Sequence, residues 1–177
     1  MRERLKQYDE RFGRRKLSKW GIWGDKTMAE LNNYVSVNIS DICIYERAKK
    51  GKIYKAGCFC IQVSATRGQT FYLKKDMEVD SRYLVFELID SRYDSRYVYL
   101  VFKDNLRDFL KKIQTGLNIL PCEFEKYIIS LHQDIKTQKQ IADIMFEIDK
   151  RIEDEEKMIN QIKDFKKYHL SKMFCKK

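Results

Sequence analysis

The segment that most restricts the fold is residues 138–174, which contains neither glycine nor proline. Glycine and proline are the residues that most strongly disfavour a helix interior, so the segment predicts one long, uninterrupted helix. About 34 helical residues span roughly 50 Å, whereas a compact body of about 130 residues measures only some 30 Å across. Much of the helix therefore needs a partner outside its own body, the alternative being that it folds back along its own domain.

The same segment carries an apolar stripe with alternating spacings of three and four residues. Its members are Ile141, Met145, Ile148, Ile152, Ile159 and Ile162, and Glu155 interrupts it. This spacing is typical of a coiled coil about three heptads long. We expect the stripe to be a dimer interface.

The net charge of +10 is concentrated in the body of the protein. Residues 137–177 carry 10 basic and 8 acidic side chains, whereas residues 1–136 carry 26 basic and 18 acidic ones. A basic body beside a charge-mixed helix indicates that the body meets a polyanion and the helix meets protein. Nucleic acid is the commonest polyanion of this kind, and the plain alternative is a charge that serves solubility.

Five cysteines are odd in number and follow no disulfide framework: Cys43, Cys58, Cys60, Cys122 and Cys175. Cys58 and Cys60 are two residues apart, so on a strand both thiols point to one face, which we expect to be the core; a zinc site needs a different grouping. The N-terminus is too charged for a signal peptide, and no apolar run reaches membrane-spanning length. A cytoplasmic location fits these features.

The charge distribution and the apolar pattern of the sequence divide the chain into three regions. Residues 1–28 form a basic leader that ends in a glycine-containing break at Trp20–Lys26. Residues 29–135 form a mixed domain, with strands predicted over 58–65, 70–73, 82–89 and 128–132, a strand or extended segment over 35–48, and helices over 98–113 and 122–127. Gly116 is the expected cap of the first of these helices. Residues 136–177 form the long helix. The fold class is therefore α+β.

The tetrapeptide Asp-Ser-Arg-Tyr occurs three times, at residues 80–83, 90–93 and 94–97. The period is too short and does not persist, so we interpret it as a small duplication in a loop and not as a repeat architecture.

The long helix resembles the conserved-region helix of the specificity (S) subunits of type I restriction-modification systems. That family's helix opens with a Gln-x-x-Ile-Ala step, runs through Ile/Leu heptads with an acidic middle, and ends on a Leu-x-x-Met-Phe tail. The positions that match are Gln138, Ile141, Ala142, Ile148, Asp149, Ile152, Leu170, Met173 and Phe174. The block before it resembles the end of a target recognition domain in its order of a helix, Thr115-Gly116, a short helix and a strand. The likeness covers roughly residues 30–174.

The resemblance implies a target recognition domain at one end of a long helix. Family members usually carry two such domains and two helices, which pack antiparallel, whereas this chain has one of each, so it resembles a half-subunit. We expect it to pair with a second copy through an antiparallel coiled coil and to read a palindromic, interrupted site in double-stranded DNA. The implied partner is a methyltransferase subunit that supplies S-adenosylmethionine, this chain holding no cofactor of its own. A restriction (nuclease-translocase) subunit is a further partner that the resemblance leaves open.

The turn Ser64–Gln69 is the strongest candidate for reading bases. Arg67 can form a bidentate contact to guanine and Gln69 to adenine, while Gly68 permits close backbone approach. The alternative is a solvated hairpin turn, and the sequence does not choose between them. The full set of expected DNA contacts adds flanking polar residues, lysines for phosphate, and the family's DNA-proximal loop: Ser64, Thr66, Arg67, Gly68, Gln69, Lys49, Lys50, Lys52, Lys74, Lys75, Gln114, Thr115 and Asn118.

No catalytic or metal-binding motif stands out in the sequence. There is no P-loop, no methyltransferase motif and no readable Cys-His pair, and the acids at 153–156 occupy consecutive helical positions, as in a solvated helix middle. We therefore expect a non-catalytic subunit. Two other interpretations stay open: an orphan DNA-binding regulator or decoy from a mobile element, and a coiled-coil adaptor whose basic charge is incidental.

Overall fold

The computed structural model describes residues 34–64, 68–113 and 119–174. The strands in these residues are β1 (Tyr34–Asn38), β2 (Cys43–Arg47), β3 (Ile53–Tyr54), β4 (Phe59–Gln62), β5 (Thr70–Tyr72), β6 (Met77–Glu78), β7 (Tyr83–Leu88) and β8 (Ile128–His132). The α-helices are α1 (Ile39–Ile42), α2 (Ser95–Ile113) and α3 (Ile135–Met173), and a 3₁₀ helix covers Pro121–Lys126. The fold is α+β, as predicted. The predicted leader, the break at Trp20–Lys26 and the Gly116 cap lie outside the described residues.

The central element is a four-stranded sheet with the order β2-β7-β4-β5, in which each of the three neighbouring pairs is antiparallel. Two smaller sheets accompany it, one formed by β1 and β8 and the other by β3 and β6. Every residue of β4 is buried, so both faces of the sheet are covered at this strand. Phe59 and Ile61 face one side and Cys60 the other, following the two-residue period of a strand.

The main core is an aromatic layer between this sheet and α2. Phe59 stacks on Phe86 with ring centroids 5.2 Å apart, and both rings contact Phe102 of α2. Phe124, from the 3₁₀ helix, closes the layer against Phe86 and Phe102. The Tyr127 hydroxyl is satisfied by donating to the Phe102 carbonyl oxygen at 2.6 Å, as a buried phenol requires. This layer fixes α2 against the sheet.

The second face of the sheet holds two of the cysteines. Cys58 and Cys60 lie together in one buried cluster with Leu73, Val79 and Val85, which confirms the prediction that both thiols point into the core on the same side. Burial raises the pKa of Cys60 to about 12, because an apolar environment disfavours the charged thiolate. The two thiols are therefore packing groups.

The structure refines several predicted boundaries. Residues 34–47 form two strands, β1 and β2, joined by the single turn α1, because Ile39 and Ile42 are drawn into the core and the Ile39 amide donates to the Tyr127 carbonyl. The short β3–β6 pair was not predicted. The second predicted helix is a 3₁₀ helix that begins at Pro121, a position where the missing amide costs nothing.

The three Asp-Ser-Arg-Tyr segments form the same local structure. In each one the aspartate accepts a hydrogen bond from the backbone amide of the arginine two residues later, and the two side chains form an ion pair. In the third segment Asp94 also accepts from the Tyr97 amide, so it caps α2 and the helix begins at Ser95, three residues before its predicted start. The repeat is a turn motif and, once, a helix start.

Helix α3 is attached to the domain at its first turn. Asp134 caps it by accepting from the amides of Lys136 and Thr137. Gln138 is fully buried, its Nε2 donating to the His132 carbonyl at 2.7 Å and its Oε1 accepting from the Asp94 amide at 2.8 Å. The first residue of the Gln-x-x-Ile-Ala step therefore joins α3 to the strand before it and to the start of α2.

The remainder of α3 extends past the surface that the domain covers. Ala142 is buried and Phe146 partly so, whereas every residue from Lys150 to Phe174 is exposed. The exposed large side chains include Ile148, Ile152, Ile159, Ile162 and Phe165. This confirms that the domain does not cover the helix and excludes the alternative of a helix folded back along it. Within the described part of the chain, no helix has the length and apolarity to cross a membrane.

Replacing Gln138 with alanine tests the attachment of α3. The change removes the hydrogen bonds that the Gln138 side chain makes to the His132 carbonyl and the Asp94 amide, and each loss of this kind costs about 1–3 kcal/mol. We expect a lower urea midpoint of unfolding with an unchanged slope, followed by circular dichroism. Lys139→Ala, at the neighbouring exposed position, is the matched control. Equal stability of the two variants would contradict the assigned role of Gln138.

Candidate nucleic-acid interface

The candidate turn at residues 64–69 leaves the sheet from the end of β4. Two backbone hydrogen bonds join the residues on its two sides. The Gln62 amide donates to the Gln69 carbonyl at 2.8 Å, and the Gly68 amide donates to the Gln62 carbonyl at 3.1 Å. The Gln62 side chain, which is buried, donates to the Ser64 carbonyl and accepts from the Tyr83 hydroxyl. β4 and β5 therefore form an antiparallel pair on either side of the predicted turn, and the buried Gln62 amide supports the base of that pair.

Gly68 is required by this hairpin for two reasons. Its φ is +82°, in the left-handed region that side chains other than glycine rarely adopt. A Cβ placed on it would also lie 3.2 Å from Leu110 Cδ1 of α2. The close approach that Gly68 permits in this structure is thus to α2.

The flanks of the two expected DNA-contacting segments lie beside one another. The Ile119 amide, which follows residues 114–118, donates to the Val63 carbonyl at the end of β4. Leu110, near the end of α2, contacts the position of Gly68. Five expected contacts lie outside the described residues, namely Thr66, Arg67, Gln114, Thr115 and Asn118.

A groove of about 630 Å³ runs between the turn and α2. Gly68, Gln69 and β5 form one wall, where Phe71 packs edge-on against Tyr83. Leu106 and Leu110 of α2 line the opposite side. Lys103 and Arg107 stand one helical turn apart on α2 and also line the groove. Both are exposed, and neither forms an ion pair with another described residue. The arrangement places two cations without an ion-pair partner among the described residues beside the polar edge of Gln69 and Thr70.

The lysines of the turn after β2 are held by an acid. Lys49 Nζ lies 3.1 Å from Glu46 Oε2, and Lys52 forms a short ion pair with Glu46 Oε1. Hydrogen bonds from Lys52 and Lys49 lower the pKa of Glu46 to about 2. One carboxylate thus offsets part of the charge of both lysines, whereas Lys50 is exposed and forms no ion pair within the described residues.

The other two lysines expected to contact phosphate lie at the end of the sheet away from the turn at residues 64–69. Since β5 runs antiparallel to β4, Lys74 and Lys75 follow β5 at the end where β4 begins, away from the turn. Lys74 lies 3.7 Å from Glu153 of α3. By contrast, β2 and β4 run in the same direction, because both pair antiparallel with β7. Lys49, after β2, and Ser64, after β4, therefore lie at the same end of the sheet. The structure therefore divides the expected phosphate contacts into two groups.

The six residues of the predicted apolar stripe on α3, which we call the seam, also differ in their surroundings. Ile141 packs partly against the core of its own domain. The other five, Met145, Ile148, Ile152, Ile159 and Ile162, are all exposed. The surface open to a second molecule therefore begins at Met145.

Lys103, Arg107 and Gln62 are not among the residues predicted from the sequence to form the site. The helix carrying the two cations was predicted, and their spacing of four residues next to Leu106 and Leu110 was the available signal. Gln62 gave no signal beyond a polar residue in an apolar strand. No cluster of three or more His, Cys, Asp or Glu side chains suited to a metal occurs in the described ranges.

The chain belongs to a known family. Residues 24–164 match the sequence family described as the Type I restriction modification DNA specificity domain, and the match spans most of the chain. The described residues hold one domain and one long helix of this family's kind. A comparison with functionally curated proteins gave no match.

Solved structures share the fold at low sequence identity. The S subunit of a type I restriction-modification system from M. genitalium aligns over 99% of this chain and 54% of its own, with a TM-score of 0.69 and 12% identity. A structure described as showing complex assembly and conformational transition of the type I R-M system gives a TM-score of 0.58 at 12% identity, covering 85% of this chain and 45% of that one. The HsdS subunit from Thermoanaerobacter tengcongensis gives 0.53 at 12% identity, covering 76% and 41%. The chain spans about half the length of these proteins.

The role of Gly68 can be tested by substitution with alanine. The strained φ costs about 1 kcal/mol, and the contact with Leu110 adds to that cost. Gly51 has a similar φ of +78° but open space around its missing Cβ, so Gly51→Ala isolates the backbone strain. We expect Gly68→Ala to lower the free energy of unfolding more than Gly51→Ala does. Equal losses would show that the turn does not press on α2.

Proposed function

We propose that this chain is a DNA-recognition subunit of a type I restriction-modification system, and that its domain reads one half of a split site. The observation that carries the proposal is the groove beside the turn at 64–69, in a domain of a DNA-specificity family. The groove combines the parts that duplex recognition needs. Lys103 and Arg107 supply charge for phosphates, and Gln69 and Thr70 supply hydrogen-bonding groups for base edges.

On this proposal the cations have different roles. Lys103 and Arg107 act as phosphate contacts that set the position of the domain, with Lys50 as a third contact from the neighbouring turn. Lys49 and Lys52 contribute less because Glu46 stays beside them. Arg67 remains our candidate for reading guanine. On this proposal Lys74 and Lys75 lie outside the interface.

A single domain reads a single half-site, so the proposal includes pairing of two copies. The exposed apolar stripe from Met145 to Ile162 is the surface for that pairing, and a two-fold pair of identical readers recognises an inverted repeat with an unread gap. The pair docks a methyltransferase subunit, which carries out the methyl transfer with its own S-adenosylmethionine. A restriction subunit is the further partner where the host encodes one.

Removing the two groove cations tests the DNA interface. We expect Lys103→Ala/Arg107→Ala to weaken binding to every duplex and to reduce the slope of log affinity against log salt by about 2, since each phosphate contact contributes about 1. Lys126→Ala/Lys136→Ala removes the same charge from exposed positions off the groove and is the matched control. Binding measured by fluorescence anisotropy at several salt concentrations checks this. Equal effects of the two double variants would show a diffuse charge effect and overturn the groove assignment.

Co-purification tests the partner. A tagged chain expressed in its native host is expected to bring down a methyltransferase subunit in near-equal amount, identified by mass spectrometry. A self-associated, DNA-binding chain without any methyltransferase would favour the orphan regulator. A chain that binds DNA with no sequence preference would favour the coiled-coil adaptor with incidental charge.

A further inference from the structure

Helix α3 carries charges whose positions suit one particular pairing with a second copy. Glu155 interrupts the apolar stripe, and Lys166 occupies the next position of the same heptad pattern after Ile159 and Ile162. Both are exposed, and neither forms an ion pair with another described residue. Apart from His169, the other seam positions are apolar, and a lone acid and a lone base among them are costly unless each meets an opposite charge.

An antiparallel pair with its two-fold axis between Asn160 and Gln161 satisfies both charges. In this register Ile159 faces Ile162 of the second copy, and Glu155 faces Lys166 of the second copy, each contact occurring twice by symmetry. Towards each end Ile152 faces His169, and Ile148 faces Met173. The paired region then runs from residue 148 to residue 173, which lies within the exposed surface of α3 that begins at Met145.

Residues flanking the seam agree with the same register. Glu156 and Lys163 lie on the same edge of the helix and come together across the axis, as do the apolar Met158 and Phe165. A shift of one heptad in one direction places Glu155 against Ile159 and Lys166 against Ile148. A shift in the other direction places Glu155 against Met173 and Lys166 against Ile162. Either shift leaves both seam charges facing apolar side chains.

We propose that two copies of this chain pair antiparallel with the axis between Asn160 and Gln161, the Glu155–Lys166 contacts selecting this register. The inference rests on the proposed pairing of two copies and adds the register in which their α3 helices pair. The alignment has a geometric consequence. Phe146, the last residue of α3 packed on the domain core, lies about 22 Å from the axis, so the two domains are held with these residues about 43 Å apart along the helices.

Charge reversal tests the register. Glu155→Lys and Lys166→Glu should each weaken the dimer about tenfold or more in sedimentation equilibrium, because each creates two like-charge contacts. The double variant Glu155→Lys/Lys166→Glu restores opposite pairs and should return to within about threefold of the wild-type affinity. A double variant as weak as the two single effects combined would overturn the register.

Disulfide trapping gives a second, independent measurement in a Cys122→Ser/Cys175→Ser background. Glu155→Cys/Lys166→Cys should form a covalent dimer on mild oxidation, since the two positions are eleven residues apart in one helix and meet only between copies. Glu155→Cys alone should not, because the substituted position in one copy lies about 16 Å along the axis from the same position in the other. Cross-linking of the single variant would overturn the register.

The outcomes separate this inference from the proposed function. Ile148→Lys/Ile152→Lys abolishes an apolar seam in any register. A wild-type chain that stays monomeric at all concentrations would contradict the pairing itself, and this inference with it. A wild-type dimer that the Ile148→Lys/Ile152→Lys variant disrupts, but that charge exchange does not restore, would leave the pairing intact and overturn the register alone.

Discussion

The two hydrogen bonds of Gln138 determine how the long helix leaves the domain. Through its Oε1 this side chain holds the amide of Asp94 at the start of α2, and through its Nε2 the carbonyl of His132 at the end of β8. A fully buried amide with both ends satisfied is specific in geometry as well as favourable in energy. Since α2 also lines the groove, the same contact links the direction of α3 to the surface proposed to meet DNA.

The groove and the seam place contrasting demands on the chain. The groove needs cations that no ion pair holds, and Lys103 and Arg107 form none with another described residue, whereas Lys49 and Lys52 share Glu46. The seam needs apolar side chains that the domain does not cover, and α3 provides them from Met145 onward. Charge compensation thus distinguishes the cations that are open to a polyanion, and burial distinguishes the isoleucines that are open to a second helix.

Local patterns were enough to predict most of the fold. The alternation in residues 58–65 and the three-to-four spacing in residues 98–113 appear as β4 and α2, and the absence of glycine and proline appears as a 39-residue helix. The β3–β6 pair was missed because two-residue strands leave no periodicity. The start of α2 was missed because Asp94 was interpreted as part of a repeat and not as a helix cap.

The candidate site was less predictable because it depends on contacts between distant segments. Gln138 reaches Asp94 across 44 positions in the chain, and Gly68 meets Leu110 through packing that no local pattern encodes. The turn itself was predicted from the sequence, because Gly68 is typical of a turn between two strands. That Lys103 and Arg107 are its neighbours follows from the packing of α2 beside it. That Lys74 and Lys75 lie at the opposite end of the sheet follows from the antiparallel pairing of β4 and β5.

In the proposed function, two identical domains that are held apart by paired helices read a split DNA site. Selection of bound duplexes from a random library by the intact chain, followed by sequencing, measures this most directly. Paired domains of this kind should enrich an inverted repeat whose two halves are separated by a gap of fixed length and unconstrained sequence. Enrichment of a single uninterrupted motif, or of no motif, would contradict it.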